Sequence, residues 1–312
     1  MPTRLITFEE AVPFITWPGA VGALRQGHSL PRPQQGDLLL NASRGKLLNR
    51  AASVERLGFA VKADSIFPQN SEAGMPTVQG AVILFDARNG AVRAVIDSKI
   101  ITQYKTAADS VLGATCLARA DSRHLLILGA GAVAATLAQA YAAIFPDLER
   151  VTIWSRRPEQ SIALAERLKG LPVLVEPSHN LPGAVGTADI VATATMAQEP
   201  ILKSEWVKPG THVDLIGAYT PDMREADDQL IASGRVYVDC IDTVVDHIGE
   251  VMKPIEAGVI QRSHILGDLY DLVAANRSSR ASEEEITVFK NGGGAHLDLM
   301  MADYVARAVG LA

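Results

Sequence analysis

The spacing of apolar and polar positions changes character three times along the chain. Residues 5–25 pass from a short apolar run into a helical repeat, which predicts a strand and then an amphipathic helix. From Leu38 to Asp97 the apolar runs are short and divided by Gly, Pro and Asn, as in Leu38-Leu39-Leu40, Gly58-Phe59-Ala60-Val61-Lys62 and Gly80 to Phe85. Asn89-Gly90 accepts positive φ cheaply, so Asp86–Gly90 predicts a hairpin turn with a return strand over Ala91–Asp97. The region therefore predicts an antiparallel sheet. Lys105 to Ala118 is Ala-rich and predicts a helix opening at Lys105. Beyond it, strands (His124–Leu128, Val151–Trp154, Ile190–Thr193, His212–Ile216, Arg235–Val238) alternate with helical segments such as Gln160–Leu168. That alternation predicts a parallel sheet with crossover helices. Ser282-Glu283-Glu284-Glu285 resembles a helix start, but Ile286–Phe289 reads as a strand; Asn291–Gly294 is then a loop before a last helix, Ala295–Val309.

The strand His124–Leu128 runs straight into Gly129-Ala130-Gly131-Ala132-Val133-Ala134, a G-x-G-x-x-A pattern at the start of a small-residue helix. Gly129 permits the tight turn, Gly131 lets a pyrophosphate approach the backbone, and Ala134 lets the helix pack closely on the sheet. Free N–H groups at the helix start face the phosphates. The fold class is α/β: a Rossmann dinucleotide-binding domain over 119–289, with an α+β domain built from 1–118 and 290–312. At the end of the second strand, where an NAD site usually carries Asp or Glu, the chain has Ser155-Arg156-Arg157. A hydroxyl and two guanidiniums suit a 2′-phosphate, because arginine offers a planar fork of donors. NADP(H) is therefore expected over NAD(H); a solvated basic turn is the plain alternative.

Composition narrows the class further. The 312 residues are 48% hydrophobic with net charge −6, enough apolar content for a core and no basic tract for nucleic acid or an anionic membrane. No run approaches the ~18 apolar residues that span a bilayer. The two cysteines, Cys116 and Cys240, lie in apolar segments and read as buried free thiols, which suits the cytoplasm. The seven histidines show no ligand spacing, so no metal site is expected.

Several stretches resemble the ornithine cyclodeaminase/μ-crystallin family in order and spacing. They are Val61-Lys62 with Phe67-Pro68-Gln69-Asn70, Met75 to Gly80, Tyr104-Lys105-Thr106-Ala107-Ala108, Gly129-Ala130-Gly131, Ala192 to Thr195 with Pro200, Gly217 with Pro221 to Glu225, and Ile286 to Lys290. The resemblance spans nearly the whole chain. It implies a homodimer whose N-terminal sheet helps form the subunit interface, with the α+β domain binding substrate. It also implies hydride transfer at the carbon bearing nitrogen in a small amino or imino acid. The family's activities include NAD-dependent cyclisation of ornithine to proline with loss of ammonia, amino-acid dehydrogenation, and reduction of ketimines such as Δ1-pyrroline-2-carboxylate. The μ-crystallin branch illustrates a non-enzymatic NADPH and small-ligand binder.

The resemblance also assigns residues. Lys62 ends an apolar strand, where a lysine needs a partner; it corresponds to the family's active-site lysine, and snorkelling from the strand end is the alternative. Lys105 falls where most members carry a carboxylate-gripping arginine, and a lysine cannot make that bidentate clamp. Arg32 is a second anchor or an exposed loop residue, and Asn70 orients substrate or caps its turn. Tyr219 stands where cyclodeaminases place an aspartate; with a pKa near ~10 it is a poor base at neutrality, which weighs against ornithine cyclisation. Asp298 matches an acidic position of the last helix, and His296 beside it is a candidate proton donor or a contact histidine. The Gly292–Gly294 run offers backbone N–H groups to the nicotinamide or is simply flexible. The cofactor residues are expected to be Gly129, Ala130, Gly131, Ala132, Val133, Ser155, Arg156, Arg157, Thr193, Ala194 and Thr195. The expected function is an NAD(P)-dependent imine reductase or amino-acid dehydrogenase. The alternatives are an ornithine cyclodeaminase and a binding protein.

Overall fold

The computed structural model describes residues 3–275 and 278–311; residues 1, 2 and 312 of the expected terminal segments lie outside this range. The chain divides into two compact units, Met1–Thr106 with Gly294–Ala312, and Ala107–Gly293.

The first unit is a six-stranded sheet of β1 (Arg4–Ile6), β2 (Gln34–Asn41), β3 (Lys46–Val54), β4 (Gly58–Ile66), β5 (Val78–Phe85) and β6 (Val92–Asp97). Their order is β1-β6-β5-β4-β3-β2, antiparallel except where β1 runs parallel to β6. The expected hairpin turn joins β5 and β6, with Gly90 at φ 72°. On β4, Ala60, Lys62 and Asp64 alternate inward as the pleat demands. The helix Ala295–Ala308 packs on β3, β4 and β5, and the helix Trp17–His28 packs on it in turn. Thr16 caps the latter by accepting the Gly19 N–H at 3.1 Å.

The helix expected to open at Lys105 spans Ser98–Leu117 instead. It starts where β6 ends, because the Asp97 carboxylate accepts the Lys99 N–H at 2.9 Å and satisfies a first-turn donor. Lys105 thus lies inside the helix rather than at its start.

The second unit is an all-parallel, seven-stranded sheet: β7 (His124–Leu128), β8 (Arg150–Trp154), β9 (Leu174–Ser178), β10 (Ile190–Thr193), β11 (His212–Leu215), β12 (Arg235–Val238) and β13 (Thr287–Lys290), in the order β12-β13-β11-β10-β7-β8-β9. β9 escapes a sequence reading because it contains Pro177, which the sheet tolerates at its outer edge. The chain leaves β7 toward β8 and β9, then returns to β10 on the other side. That reversal creates the switch point where α/β sheets bind ligands.

The boundaries of the units differ from 118/119 and 289/290 for packing reasons. From Ala107 onward the Ser98–Leu117 helix belongs to the second unit, where Gly113 lies so close to Phe289 that a Cβ would meet the ring at 2.8 Å. At the other end, Lys290 Nζ donates to the Leu215 carbonyl at 2.8 Å and Asn291 Nδ2 to Ser110 Oγ at 3.0 Å, which keeps both residues in that unit. No helix among the described residues is long and apolar enough to cross a membrane.

Candidate active site

Two sets of groups concern chemistry, one in each unit. In the first unit, the register Asp37↔Arg50↔Lys62 puts three charged side chains on one face of the sheet. Asp298 enters the same cluster from the last helix. Its Oδ1 lies 3.0 Å from Lys62 Nζ, which donates to it, and 2.6 Å from Lys105 Nζ in an ion pair outside hydrogen-bond alignment. Asp64 adds a carboxylate 3.7 Å from Lys62, and Arg50 Nε donates to Asp37 Oδ2 at 2.8 Å. Lys62, Lys105, Asp64 and Asp298 are all buried, Asp298 to 1% exposure.

The cluster is electrically balanced but not saturated. Each ammonium has three donors; Asp298 Oδ1 takes one from Lys62 and pairs with Lys105 by charge alone. Asp298 Oδ2 is buried and accepts no hydrogen bond. Ammonium donors beside an unsatisfied carboxylate acceptor match a ligand that carries a carboxylate and an N–H. Burial lowers the Lys105 pKa to about 7 despite Asp298, with Lys62 and Arg50 pushing the same way. Burial pushes the Asp298 carboxyl up, but Lys105 and Lys62 outweigh it and hold the acid below its usual value.

His296 is buried in the same unit, and its geometry excludes the donor role at Nε2. Gln35 Oε1 accepts the His296 backbone N–H at 3.3 Å and faces Nδ1 at 3.0 Å. A backbone N–H can only donate, so the glutamine atom is oxygen and Nδ1 carries the proton. Burial first, then His28 and Lys105, depress the imidazole well below its usual pKa, so Nε2 has no proton to give. Arg32 is exposed in the loop before β2. Asn70 donates to the Pro76 carbonyl at 3.0 Å and thereby ties its own turn. Arg50 was missed in the sequence, since only the strand register aligns it with Lys62.

In the second unit, a cavity of about 300 Å³ opens at the C-terminal ends of β7, β8 and β10. Gly129, Ala130, Gly131, Ser155, Arg156, Arg157, Ala194 and Thr195 line it, together with Trp154, Gln160 and Ile201 among others. Gly129 has φ 120°, and a Cβ there would strike the Ala194 carbonyl oxygen at 2.4 Å. At Gly131 a Cβ would meet nothing within 4 Å, which is open space for a phosphate. The helix Ala132–Ile144 has no side-chain cap at Gly131, leaving its first N–H groups for an anion. These features fit a dinucleotide.

The remaining expected cofactor residues differ in how they face the cavity. Ala132 and Val133 stand in the first helical turn outside the cavity lining, and Thr193 is fully buried with its hydroxyl on Glu225 Oε2 at 2.6 Å. The Ser155 hydroxyl donates to the Arg157 carbonyl at 2.6 Å and closes its own turn, while Arg156 and Arg157 are exposed. The N–H groups of Gly292 and Gly293 are likewise engaged, by Asp239 Oδ2 at 2.9 and 2.5 Å. Tyr219 is 58% exposed on the loop after β11. Among the described residues no group of three or more His, Cys, Asp or Glu is arranged to hold a metal ion.

Residues 33–309 match the ornithine cyclodeaminase/μ-crystallin family. The chain belongs to that family. One relative, a Δ1-pyrroline-2-carboxylate reductase of Paracoccus denitrificans, is 52% identical over 306 residues, covering 98% of this chain and 97% of the relative. Among solved members of the fold, the Thermococcus litoralis Δ1-pyrroline-2-carboxylate reductase in complex with NADH and L-proline superposes with a TM-score of 0.90 at 26% identity, covering 98% of this chain and 97% of that one. An archaeal alanine dehydrogenase dimer with bound NAD gives a TM-score of 0.90, also at 26% identity, over 99% and 96% of the two chains. The family's α/β fold with its Rossmann unit is the one described above.

Proposed function

We propose that the chain is an NAD(P)H-dependent reductase of small 2-imino acids that converts Δ1-pyrroline-2-carboxylate to proline. The observation that carries this reading is the Lys62–Asp298–Lys105 cluster, with ammonium donors for a carboxylate and the unsatisfied Asp298 Oδ2 for a substrate N–H. The reductase of Paracoccus denitrificans, at 52% identity, supports the same substrate.

A bound nicotinamide supplies hydride to the imine carbon. The protein's share is to hold the substrate and deliver a proton to nitrogen. Lys62, with Arg50 beside it, holds the carboxylate. Lys105 gives its proton to the imine nitrogen as the C=N bond becomes C–N, and regains one from solvent. A buried ammonium with a pKa of about 7 is suited to that transfer at neutral pH. Asp298 keeps both ammoniums in place, and its Oδ2 accepts a hydrogen bond from the product amine N–H.

Three finer points belong to the same reading. Arg156 and Arg157 at the cavity favour NADP(H), because two guanidiniums there suit a 2′-phosphate. The first unit forms a homodimer through its sheet, where Leu38, Leu39 and Leu40 of the edge strand β2 are 46–55% exposed and Leu47 on β3 and Phe59 on β4 lie exposed as well; the dimeric archaeal alanine dehydrogenase supports this. Cys116 and Cys240 are buried and outside any disulfide among the described residues, which suits a reducing cytoplasm.

The test is absorbance at 340 nm with Δ1-pyrroline-2-carboxylate and either NADPH or NADH, beside ammonia release from L-ornithine. Reduced cofactor consumed with the imine is the expected result. Ammonia and proline from ornithine without net cofactor change would instead identify a cyclodeaminase. Cofactor binding without either reaction would identify a binding protein.

A further inference from the structure

Glu225 stands outside the cavity lining, yet it holds part of the cavity wall. Its side chain is fully buried, and its carboxylate accepts four hydrogen bonds from the ends of two strands. Oε2 accepts from Thr193 Oγ1 and from the Gly217 N–H, each at 2.6 Å. Oε1 accepts from the Thr195 N–H at 2.8 Å and from Thr195 Oγ1 at 2.6 Å. Its backbone carbonyl also accepts the N–H groups of Ile201 and Leu202, both at 2.9 Å. The segment from Thr193 to Leu202 is thus tied to one residue, and this segment supplies Ala194, Thr195, Met196, Ala197 and Ile201 to the cavity.

The arrangement is tight on every side. At Gly217 a Cβ would lie 2.1 Å from the Thr195 carbonyl oxygen and 2.4 Å from Glu225 Oε1, so the strand end after β11 must carry glycine for the clamp to close. A second buried acid backs the first. Glu250 accepts the Glu225 N–H at 2.8 Å and the Ala226 N–H at 2.9 Å. In the sequence Glu225 looks like one of several acids at a turn and helix start, where carboxylates are unremarkable.

We infer that Glu225 is a positioning residue for the dinucleotide, which fixes the Thr193–Leu202 wall and commits the hydrogen of the Thr195 hydroxyl. A hydroxyl whose hydrogen is given to a carboxylate can only accept from a ligand. Thr195 therefore selects a hydrogen-bond donor on the dinucleotide, either a ribose hydroxyl or the carboxamide N–H2 of the nicotinamide. This rests on the dinucleotide reading above.

The experiment compares NADPH and NADH dissociation constants, by quenching of protein fluorescence, with steady-state KM and kcat in the wild type and three variants. Glu225→Gln turns one acceptor oxygen into a donor that faces other donors, and is expected to raise Kd and cofactor KM about 10- to 100-fold. Its kcat at saturating cofactor is expected to stay within about three-fold of wild type, the mark of lost ground-state binding. Thr195→Val is expected to weaken binding about 10-fold and Thr195→Ser to bind as wild type does. The valine variant removes only one of the four side-chain-held donors, so it keeps the comparison decisive if Glu225→Gln does not fold. Unchanged Kd in Thr195→Val, or a loss of kcat in Glu225→Gln with Kd unaltered, would overturn the inference. A wild-type protein that binds neither dinucleotide would overturn the reading beneath it instead.

Discussion

One oxygen of Asp298 serves two ammonium groups, Lys62 Nζ at 3.0 Å and Lys105 Nζ at 2.6 Å. The carboxylate is fully enclosed, so its charge is what makes two buried lysines tolerable within one cluster. Neither lysine is then a solitary anchor; both are held at a fixed separation by a shared counter-ion. The site's chemistry follows from what this sharing leaves over: spare ammonium hydrogens and a free Oδ2.

Asp298→Asn removes that counter-ion at nearly constant shape. Breaking a buried charge network by deleting one partner costs about 3–5 kcal/mol, less where another carboxylate compensates. Asp64 at 3.7 Å shields Lys62 in part, so the lower end of that range is expected in urea unfolding. The catalytic loss is expected to be larger than the stability loss suggests, with kcat/KM down at least about 100-fold, because proton delivery and substrate placement fail together. A variant of near wild-type activity would separate Asp298 from the chemistry.

The two glycines of the dinucleotide turn should respond differently to alanine. Gly129→Ala forces a Cβ to 2.4 Å from the Ala194 carbonyl at a φ of 120°, so both stability and cofactor binding are expected to fall. Gly131→Ala meets nothing within 4 Å, and its melting temperature is expected to stay within about 2 °C of wild type, an effect of a few tenths of a kcal/mol. Its methyl group would nonetheless stand in the space reserved for phosphate, and Kd for NADPH is expected to rise at least about 10-fold. Calorimetry beside a binding titration reads both effects; equal behaviour of the two variants would refute the division of roles.

Arg156→Ala and Arg157→Ala test the choice of dinucleotide. A charge-assisted hydrogen bond to phosphate contributes about 1.5–3 kcal/mol, so each loss is expected to raise KM for NADPH about 10- to 100-fold. KM for NADH is expected to change less than about three-fold, since that cofactor has no phosphate at the position. Equal effects on both cofactors would return this turn to the ordinary solvated kind.

These residues also mark how far the sequence could be read. Gly129 and Gly131 were legible because the strand, the turn and the small-residue helix are contiguous, and each glycine answers a local steric demand. Lys62 was legible because a lysine interrupts an apolar strand. Arg50 was not, since only the β3–β4 register places it opposite Lys62. Glu225 was hidden because its four donors come from two other strand ends. Lys105 is legible as a residue, but its place inside the helix is not, because the helix start is set by the Asp97 carboxylate accepting the Lys99 N–H. The sheet order was similarly out of reach: β13, late in the chain, inserts between β11 and β12.

A second buried acid predicts the pH dependence of stability. Burial raises Asp214 to about 7 even though the Tyr141 hydroxyl donates to it at 2.9 Å and Ser110 Oγ at 3.2 Å. The folded protein therefore holds a proton that the unfolded chain loses near its ordinary value of 3.8. The stability this proton contributes is full below the unfolded pKa and is lost as pH rises toward about 7. Asp214→Asn has no such proton to lose. Relative to wild type, the variant is expected to gain stability between pH 5 and pH 8, read as the difference in melting temperature; a difference independent of pH would show that Asp214 is already ionised at pH 5.

The central claim, imine reduction with Lys105 as the acid, is tested most directly by kcat/KM for Δ1-pyrroline-2-carboxylate across pH 6–9 in the wild type and in Lys105→Arg. In the wild type the rate is expected to fall as pH rises through about 7, where the Lys105 ammonium loses its proton. Arginine keeps its charge throughout this range, so the variant should be slower by about 100-fold and should lose that descending limb. A limb that survives unchanged in the variant would assign the proton to another group, and absence of imine turnover in a cofactor-binding wild type would contradict the reductase itself.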